Sequence, residues 1–368
     1  MSNRMTINYH EKPCYDIVFS GSFNDLEKEL ATEVLHTEKR KVCIITDSNV
    51  EKLYADEVKA IFEAHSKQTV IFTFTAGEEN KTLDVIKKMY TFLIENKFDR
   101  KDLLVALGGG VVGDMTGYAA ATYLRGVDFM QIPTTLLSQC DSSIGGKTGV
   151  DFDGYKNMVG AFYMPKLVYM NMFTLKSLDG RQFASGFAEV MKHGLIKDAK
   201  YYSWLIDHMY EINDRDITVL QEMIMHSCSI KKSVVEIDPT EQGERALLNY
   251  GHTIGHAIEK EKNFQMFHGE CVALGCVAAA FISWQKGYLE MEDYYEIRDM
   301  FVPFGLPISV EDIIPEDIVK LTKSDKKMQN GNIKFILLHK LGDAFIDMSV
   351  TDEEILSAVQ EIYAEGDF

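Results

Sequence analysis

In the first half of the chain, the pattern of hydrophobic and polar positions alternates between segments typical of strands and segments typical of helices. Short runs rich in β-branched residues predict strands, and apolar residues three or four positions apart predict helices. The predicted strands cover 41–46, 69–75, 103–107, 129–132 and 166–170. The predicted helices cover 50–64, 82–96 with Thr82 as a candidate N-cap, and a segment from about Gly113. Strands and helices that alternate at this spacing predict a Rossmann-like parallel sheet with right-handed crossovers.

Helical periodicity dominates the second half of the chain. Helices are predicted over 183–197, 201–209, 217–235, 247–260 and 269–286, and the next clear strand pattern is at 333–339. The change in pattern indicates a domain boundary near residue 178. We therefore predict an α/β domain over 1–178 and a mostly α-helical domain over 179–368. Ligand sites favour the cleft between two such domains.

Composition and charge restrict the classes of partner. The hydrophobic fraction of 46% and the charged fraction of 26% are typical of a soluble globular protein. A net charge of -18 argues against nucleic acid and anionic membrane as partners. The six cysteines form no CxxC pair, which favours a reducing compartment. Because we also find no signal-peptide pattern and no apolar run long enough for a bilayer, we expect a cytoplasmic protein.

A glycine-rich segment follows the predicted strand at 103–107. Gly108, Gly110 and Gly113 satisfy the GxGxxG pattern, in which glycine lets the backbone approach a phosphate and a helix N-terminus offers N–H donors. The segment follows the third strand instead of the first, and no acidic residue clearly ends a strand about twenty residues later. A tight turn without a ligand is therefore the alternative. Asp47 is a candidate for binding ribose hydroxyls or for capping a helix, and the sequence leaves both open.

Histidines and a carboxylate in the helical half form a candidate metal site. They lie in GFAEVMKHG with Glu189 and Lys192, in NYGHTIGHAIE with His252 and His256, and in FHGEC with His268. Two imidazoles and one carboxylate would leave a coordination position open, as a catalytic zinc requires. The alternative is a surface pair of histidines beside an ordinary Glu–Lys ion pair. HTIGH lacks the glutamate of HExxH metalloproteases, which disfavours that chemistry.

Five segments resemble, in the same order, the motifs of the 3-dehydroquinate synthase family: GGGVVGD, PTTLLSQCDSSIGGKTGV, GFAEVMKHG, RALLNYGHTIGHA and FHGECV. The similarity runs from about Asp47 to Gly342. It implies a homodimer whose N-terminal domain binds NAD and whose helical domain binds zinc, or cobalt, and the substrate. The substrate implied is a small phosphorylated sugar acid.

The resemblance also assigns residues to roles, position by position. The metal ligands would be Glu189, His252 and His268. The positions that match NAD contacts are Asp47, Asn49, Glu78, Lys81, Gly109, Gly110, Asp114, Thr134, Thr135, Asp141 and Lys156. The positions that match substrate contacts are Lys147, Asn157, Lys192, Lys231, Arg245, Asn249 and His256. Arg125 would reach the substrate phosphate of the neighbouring subunit, and either Lys326 or Lys327 would also contact the substrate.

The implied reaction converts 3-deoxy-arabino-heptulosonate 7-phosphate to 3-dehydroquinate and phosphate, a step of the shikimate pathway to aromatic amino acids. It proceeds by transient oxidation with NAD, β-elimination of phosphate, reduction and intramolecular aldol closure. Lys231 together with Arg245 favours a substrate that carries a carboxylate, because the planar guanidinium fits one. This disfavours related cyclases that make deoxy-inosose or epi-valiolone.

Three alternatives stay open at this level. They are a related sugar-phosphate cyclase such as an amino-dehydroquinate synthase, a metal-dependent NAD polyol dehydrogenase, and a non-catalytic nucleotide-binding protein. The chain also departs from the family in two places. It has SLDG at 177–180 where the family has a turn with TLP, and VDFDGY at 150–155 where the family has Asn-His-Pro.

Overall fold

The chain divides into two units, Met1–Leu178 and Asp179–Phe368. The computed structural model describes residues 3–32, 35–239, 241, 243–323, 328–329 and 332–364. The strands of the first unit are β1 (Arg4–Tyr9), β2 (Lys12–Ser20), β3 (Lys41–Asp47), β4 (Gln68–Phe74), β5 (Leu103–Gly108), β6 (Asp128–Pro133), β7 (Lys147–Phe152), β8 (Tyr155–Phe162) and β9 (Leu167–Asn171). Its α-helices are α1 (Leu26–Leu30), α2 (Asp56–His65), α3 (Leu83–Glu95) and α4 (Gly110–Thr122).

A seven-stranded sheet in the order β1-β2-β9-β6-β5-β3-β4 forms the centre of the first unit. Strand β1 is antiparallel to β2, and the other neighbouring strands run parallel. The predicted parallel sheet is therefore confirmed. The pattern analysis did not predict the β1–β2 hairpin or the separate antiparallel hairpin β7–β8. In β7–β8 the facing residues Gly149 and Gly160 interrupt the apolar alternation that marks a strand.

Helices cover both faces of this sheet. Side chains that alternate along β3 point to opposite sides, so Ile44 packs with Val58 and Phe62 of α2, whereas Ile45 packs with Met115 of α4. The chain therefore leaves β3 toward one face and leaves β5 toward the other. A crevice opens at the carboxyl ends of two adjacent parallel strands where this happens, and open α/β sheets bind ligands there.

The second unit is mostly helical, as predicted. Its helices are α5 (Gly180–Lys197), α6 (Ala199–Asp207), α7 (Met209–Asn213), α8 (Ile217–Ile237), α9 (His252–Glu261), α10 (His268–Gln285), α11 (Met291–Asp299), α12 (Pro315–Thr322) and α13 (Asp352–Glu361). Its strands are β10 (Met328–Gln329), β11 (Asn332–Ile333), β12 (Phe335–Lys340) and β13 (Asp343–Asp347). Helix α10 packs against α5, α9, α11 and α13 and is buried over most of its length. Among the described residues we find no helix with the length and hydrophobicity that a transmembrane span requires.

Three predicted helix boundaries are wrong. Helix α5 begins at Gly180 and not at Phe183, because the Asp179 side chain caps it by accepting hydrogen bonds from two backbone N–H groups of its first turn. Helix α4 begins at Gly110 and not near Gly113, because Gly109 already adopts an extended conformation as its N-cap. The predicted helix over 247–260 is interrupted, since a 3-10 segment Glu244–Asn249 ends before a turn at Gly251, whose φ is +78°. Helix α9 therefore begins at His252, which places this histidine at a helix start.

Candidate active site

Close backbone packing joins α9 to α10. A Cβ atom at Gly275 of α10 would lie 1.8 Å from the carbonyl oxygen of Gly251, so only glycine permits this approach. Gly251 immediately precedes His252, the first residue of α9. The contact between the two helices therefore fixes the position of His252 relative to α10.

The start of α10 lies equally close to α5. The backbone N–H of Gly269 donates to Ser185 Oγ at 2.9 Å, and a Cβ atom at Gly269 would lie 1.9 Å from the Ser185 carbonyl oxygen. Glu189 follows Ser185 by one helical turn on the same face of α5. His268, the first residue of α10, is thereby brought beside Glu189.

An ion pair between Arg181 and Glu270 stabilises the first turn of α10. Glu270 Oε2 accepts a hydrogen bond from the backbone N–H of Phe267 at 2.9 Å. Both carboxylate oxygens of Glu270 also accept hydrogen bonds from Arg181, whose guanidinium lies 4.4 Å from the Phe267 ring centroid. Arg181 and Glu270 were not predicted from the sequence. Each is a charged residue in the first turn of a helix, and such residues are too common to indicate a site.

The structure brings Glu189, His252 and His268 together. Nε2 of His252 and Nε2 of His268 each lie 3.3 Å from Oε1 of Glu189. One ligand atom from each residue falls within 4.8 Å of the others. Oε1 of Glu189 is buried, yet it accepts no well-directed hydrogen bond from any residue that the structure describes. A buried oxygen of this kind that faces two imidazole nitrogens fits a divalent cation with an open coordination position.

The electrostatic environment shifts the pKa values of the two histidines in opposite directions. Burial, reinforced by the Lys192 ammonium, lowers the pKa of His252 to about 3. Burial would also lower the pKa of His268, but the carboxylates of Glu189 and Glu259 outweigh it and raise that pKa to about 9. Burial would raise the pKa of Glu189, but Lys192 and His252 lower it well below the usual value. Without metal, Glu189 is ionised, His252 is neutral and His268 is protonated at pH 7.

Metal binding is expected to release about one proton at pH 7. The metal needs the neutral imidazole of His268, whose pKa is raised to about 9, whereas His252 is already neutral. The apparent affinity should therefore rise roughly tenfold per pH unit and level off near the pKa of His268. Calorimetric titrations in two buffers with different ionisation enthalpies measure the released proton. An affinity that is independent of pH between 6 and 8 would contradict this assignment.

Substitution of Gly269 by Ala is expected to separate α10 from α5. The new methyl group would lie 1.9 Å from the Ser185 carbonyl oxygen, so the backbone must move. Such overpacking costs about 1–3 kcal/mol, and we expect a lower melting temperature together with weaker metal binding. Gly180→Ala is the matched control, because a Cβ atom at the start of α5 meets nothing within 4 Å. Equal metal affinity in Gly269→Ala and the control would show that this contact does not position His268.

Three buried cations lie in the second unit, and one of them, Lys192, is ion-paired with Glu189. The exposed fractions are 1% for Lys192, 4% for Lys231 and 2% for Arg245. They belong to α5, α8 and the 3-10 segment Glu244–Asn249, which pack against one another. Arg245 Nη1 donates to the Pro239 carbonyl at 2.5 Å. Lysine and arginine are rarely this buried, so a protein whose net charge is -18 concentrates positive charge here, which suits an anionic ligand.

Two further predicted substrate residues lie near these cations in the chain. Asn249 ends the 3-10 segment, and its Nδ2 donates to Glu241 Oε1 at 2.7 Å. The ring centroid of His256 lies 5.2 Å from that of His252 and 5.9 Å from that of His268. Lys326 and Lys327 lie outside the described residues.

In the first unit, the glycine loop lies at the crevice where the chain leaves β3 and β5. Cβ atoms at Gly109 and Gly110 would lie 3.1 Å from side chains of Thr135 and Ser142 respectively, so the glycines keep a narrow space open. The first turn of α4 reads GVVG, and its N–H groups are not shielded by an acidic side chain. This arrangement fits the phosphates of a nucleotide.

Asp47 lies at the end of β3 on the same edge of the sheet. Its Oδ1 accepts hydrogen bonds from the backbone N–H groups of Asn49 at 2.8 Å and Val50 at 3.0 Å. The bonds close the turn that precedes the helical segment Glu51–Ala55, whose N-cap is Val50, so both roles left open by the sequence stay predictions. These bonds use only one of the two carboxylate oxygens.

Lys81 contacts three other predicted ligand residues. Its Nζ donates to Asp114 Oδ2 at 2.7 Å and to Asn157 Oδ1 at 2.6 Å, and lies 3.7 Å from Glu78. Burial would lower the pKa of Lys81, but Asp114 and Glu78 outweigh it and raise that pKa. The segment VDFDGY, in which the chain differs from the family pattern, covers the end of β7, the turn and the start of β8. Its Asp151 Oδ1 accepts a hydrogen bond from the backbone N–H of Asn157 at 2.7 Å. The hairpin is thus attached to Lys81 despite the altered sequence.

The other predicted residues of this unit lie on loops around the sheet. The Thr134 N–H donates to the Gly108 carbonyl at 3.0 Å, and Thr135 bonds to Ser138 at the end of β6. Asp141 lies in the helical turn Ser138–Ser142, and Lys147 and Lys156 lie on the β7–β8 hairpin. Arg125 is exposed, with a φ of +66°.

The chain is similar to known proteins over most of its length. Family models described as 3-dehydroquinate synthase N-terminal and C-terminal match residues 71–185 and 186–328. A 3-dehydroquinate synthase of Acetivibrio thermocellus is 42% identical over 356 residues, which cover 97% of this chain and 98% of that protein.

Two solved structures have the same architecture. A 2-deoxy-scyllo-inosose synthase in complex with carbaglucose-6-phosphate, NAD+ and Co2+ has a TM-score of 0.88 at 25% identity, with 97% of this chain and 99% of that chain covered. A 2-epi-5-epi-valiolone synthase from Streptomyces hygroscopicus subsp. jinggangensis with NAD+ and Zn2+ bound has a TM-score of 0.87 at 24% identity over the same coverage, 97% and 99%. The second likeness supports the fold alone.

Proposed function

The chain belongs to the 3-dehydroquinate synthase family, and from this premise we propose that it converts 3-deoxy-arabino-heptulosonate 7-phosphate to 3-dehydroquinate and phosphate. The observation that carries the proposal is the convergence of Glu189, His252 and His268 in a unit that also buries Lys192, Lys231 and Arg245. Such a site offers ligands for a cation and, in the same unit, positive charge for an anionic substrate. The reaction needs both, because its substrate carries hydroxyl, carboxylate and phosphate groups.

The first unit would hold NAD at the crevice between the ends of β3 and β5. The N–H groups at the start of α4 and the glycines before it would face the pyrophosphate. Bound NAD supplies a reversible hydride acceptor, so the overall reaction has no net redox change. Lys81 would keep Asp114 and Asn157 in place while the cofactor is bound, since it donates to both.

The second unit would hold zinc or cobalt through Glu189, His252 and His268. A bound divalent cation supplies Lewis acidity toward the substrate hydroxyl and the ketone oxygen. Lys192 lies against Glu189 and lowers the pKa of its carboxyl, which keeps this ligand ionised. Glu189 is therefore an anionic ligand at pH 7, both before and after a cation binds.

The remaining residues would bind and orient the substrate. We assign its carboxylate to Lys231 and Arg245, because a guanidinium matches a carboxylate in plane and charge. In the second unit, Asn249 and His256 would hold the phosphate, and in the first unit Lys147 and Asn157 are the proposed substrate contacts. The leaving phosphate can accept the proton in the elimination, so the reaction needs no dedicated protein base.

An assay that follows phosphate and NADH together tests the proposal. Protein with zinc, NAD and the seven-carbon substrate should release phosphate in proportion to product while NADH absorbance stays flat. Net NADH formation without phosphate release would instead identify a polyol dehydrogenase. Faster turnover of a phosphorylated sugar without a carboxylate would identify one of the other cyclases.

We also propose that the enzyme is a cytoplasmic homodimer in which Arg125 serves the neighbouring subunit. Leu124 and Arg125 are exposed and have φ values of +50° and +66°, and strained residues of this kind concentrate at functional surfaces. None of the six cysteines forms a disulfide in the described part of the chain, which supports a reducing compartment. Light scattering of the protein in solution tests the dimer.

A further inference from the structure

The two histidines of the candidate metal site face it with the same nitrogen. In both residues Nε2 lies 3.3 Å from Glu189 Oε1, so Nδ1 points away from that carboxylate. Nδ1 of His252 lies 3.0 Å from the backbone carbonyl of Tyr250. A carbonyl oxygen accepts only, so it requires the hydrogen of His252 on Nδ1 and leaves Nε2 available as a ligand.

A buried carboxylate takes the corresponding place beside His268. Nδ1 of His268 lies 4.0 Å from Oε2 of Glu259. Glu259 is 4% exposed and lies two turns after His252 on α9, so both side chains occupy one face of that helix. Glu259 has no role among the residues predicted from the sequence.

Glu259 acts on His268 through charge as well as proximity. At 4.0 Å the pair is about 1 Å longer than a hydrogen bond. A negative charge on the buried Glu259 nonetheless favours a hydrogen on the nearer nitrogen, Nδ1, because the carboxylate side of the pair is shielded from water. Carboxylates that face the second nitrogen of a ligand histidine set its ring orientation and increase its strength as a ligand.

We propose that Glu259 is a positioning residue that orients the His268 ring and keeps its Nε2 available to the metal. It acts through His268 without contacting the metal itself. The inference rests on the proposed function only in taking Glu189, His252 and His268 as the metal ligands. It adds a second carboxylate to the centre, with a role different from that of Glu189.

A second metal site that includes Glu259 is the competing interpretation, and it predicts a different number of bound ions. Ligand atoms of His256, Glu259 and His268 also lie within 4.8 Å of one another, so these residues could hold a second ion. In that case Glu259 would be a ligand and the protein would bind two ions per chain. The positioning role requires one ion per chain, both before and after Glu259 is replaced.

The experiment compares Glu259→Leu, Glu259→Gln and the control Glu261→Gln, which changes a half-buried carboxylate on the same helix. Zinc affinity is measured by competition with a chelator, the number of ions by elemental analysis, and the coordination sphere by the visible spectrum of the cobalt-loaded proteins. We expect Glu259→Leu to bind zinc about 10–100-fold more weakly than the wild type, with an altered cobalt spectrum. The zinc affinity of Glu259→Gln should lie between those of Glu259→Leu and the wild type, since the amide keeps an acceptor but loses the charge. The zinc affinity of Glu261→Gln should match that of the wild type.

Equal affinity and an unchanged cobalt spectrum in Glu259→Gln and Glu259→Leu would overturn the inference and leave the proposed function intact. Two ions in the wild type and one in the variants would overturn it in favour of a ligand role. A wild-type protein that binds no divalent cation would overturn the metal assignment of the proposed function and this inference with it. Glu259→Gln is nearly isosteric, so the comparison holds even where Glu259→Leu fails to fold.

Discussion

Replacement of His268 by Ala should remove the bound metal and lower kcat/KM by roughly 10³-fold or more. His268 Nε2 and His252 Nε2 each lie 3.3 Å from Glu189 Oε1, so loss of one imidazole leaves two ligands where a catalytic zinc needs three. A metal acting as Lewis acid contributes several kcal/mol to the transition state, which corresponds to this factor. Elemental analysis of the purified variant and a steady-state assay of phosphate release measure the two effects.

His339→Ala is the control for this substitution. His339 is exposed on β12, where its ring stacks on Phe345 at a centroid distance of 3.7 Å, and it belongs to none of the residue groups that could hold a metal ion in the described part of the chain. The control should keep its metal and its rate. A His268→Ala protein that retains one zinc per chain and turns over normally would remove His268 from the centre.

Replacement of Arg245 by Ala should lower kcat/KM by about 10²–10³-fold, with a higher KM and a lower kcat. Loss of one partner from a buried charge pair costs about 2–5 kcal/mol, and the carboxylate of the substrate would be left without its clamp. The rate constant falls as well as the affinity, because an unclamped substrate is also poorly oriented. Steady-state kinetics gives both parameters.

A pair of inhibitors separates substrate binding from a folding defect. A phosphonate analogue that carries the carboxylate should lose affinity for Arg245→Ala, whereas an analogue without the carboxylate should bind both proteins equally. Arg298→Ala serves as the control, because Arg298 bonds to Asp299 and stacks on Tyr295 on α11. Kinetics that do not change in Arg245→Ala would exclude Arg245 from the carboxylate clamp.

Sequence and structure agree where local residue patterns decide the outcome. The strands β3, β4 and β5 and the helix α3 with its Thr82 cap lie close to their predicted positions, since the strands are short runs rich in apolar residues and α3 has apolar residues three or four positions apart. The hairpin β7–β8 was missed, because its strands pair with each other outside the main sheet and Gly149 and Gly160 face each other in them.

The residues of the candidate site also divide into those that the sequence predicted and those that only their contacts reveal. Residue types and motif order indicated Glu189, His252 and His268 as ligands, and Lys231 and Arg245 as an anion clamp. Arg181, Glu259 and Glu270 could not be identified from the sequence. Each is a charged residue on a helix, and only its contacts with Phe267 or His268 distinguish it from a solvated one.

The amino-acid sequence by itself determined the fold class, the family and the identity of the metal-ligand candidates, because these depend on periodicity and on motifs read along the chain. Only the tertiary structure decided that α9 begins at His252, that glycine contacts press α9 and α5 against α10, and which nitrogen of each imidazole faces Glu189. These features arise from contacts between residues far apart in the chain. Such contacts depend on steric fit and on buried charge, and neither can be read from the pattern of neighbouring residues in the sequence.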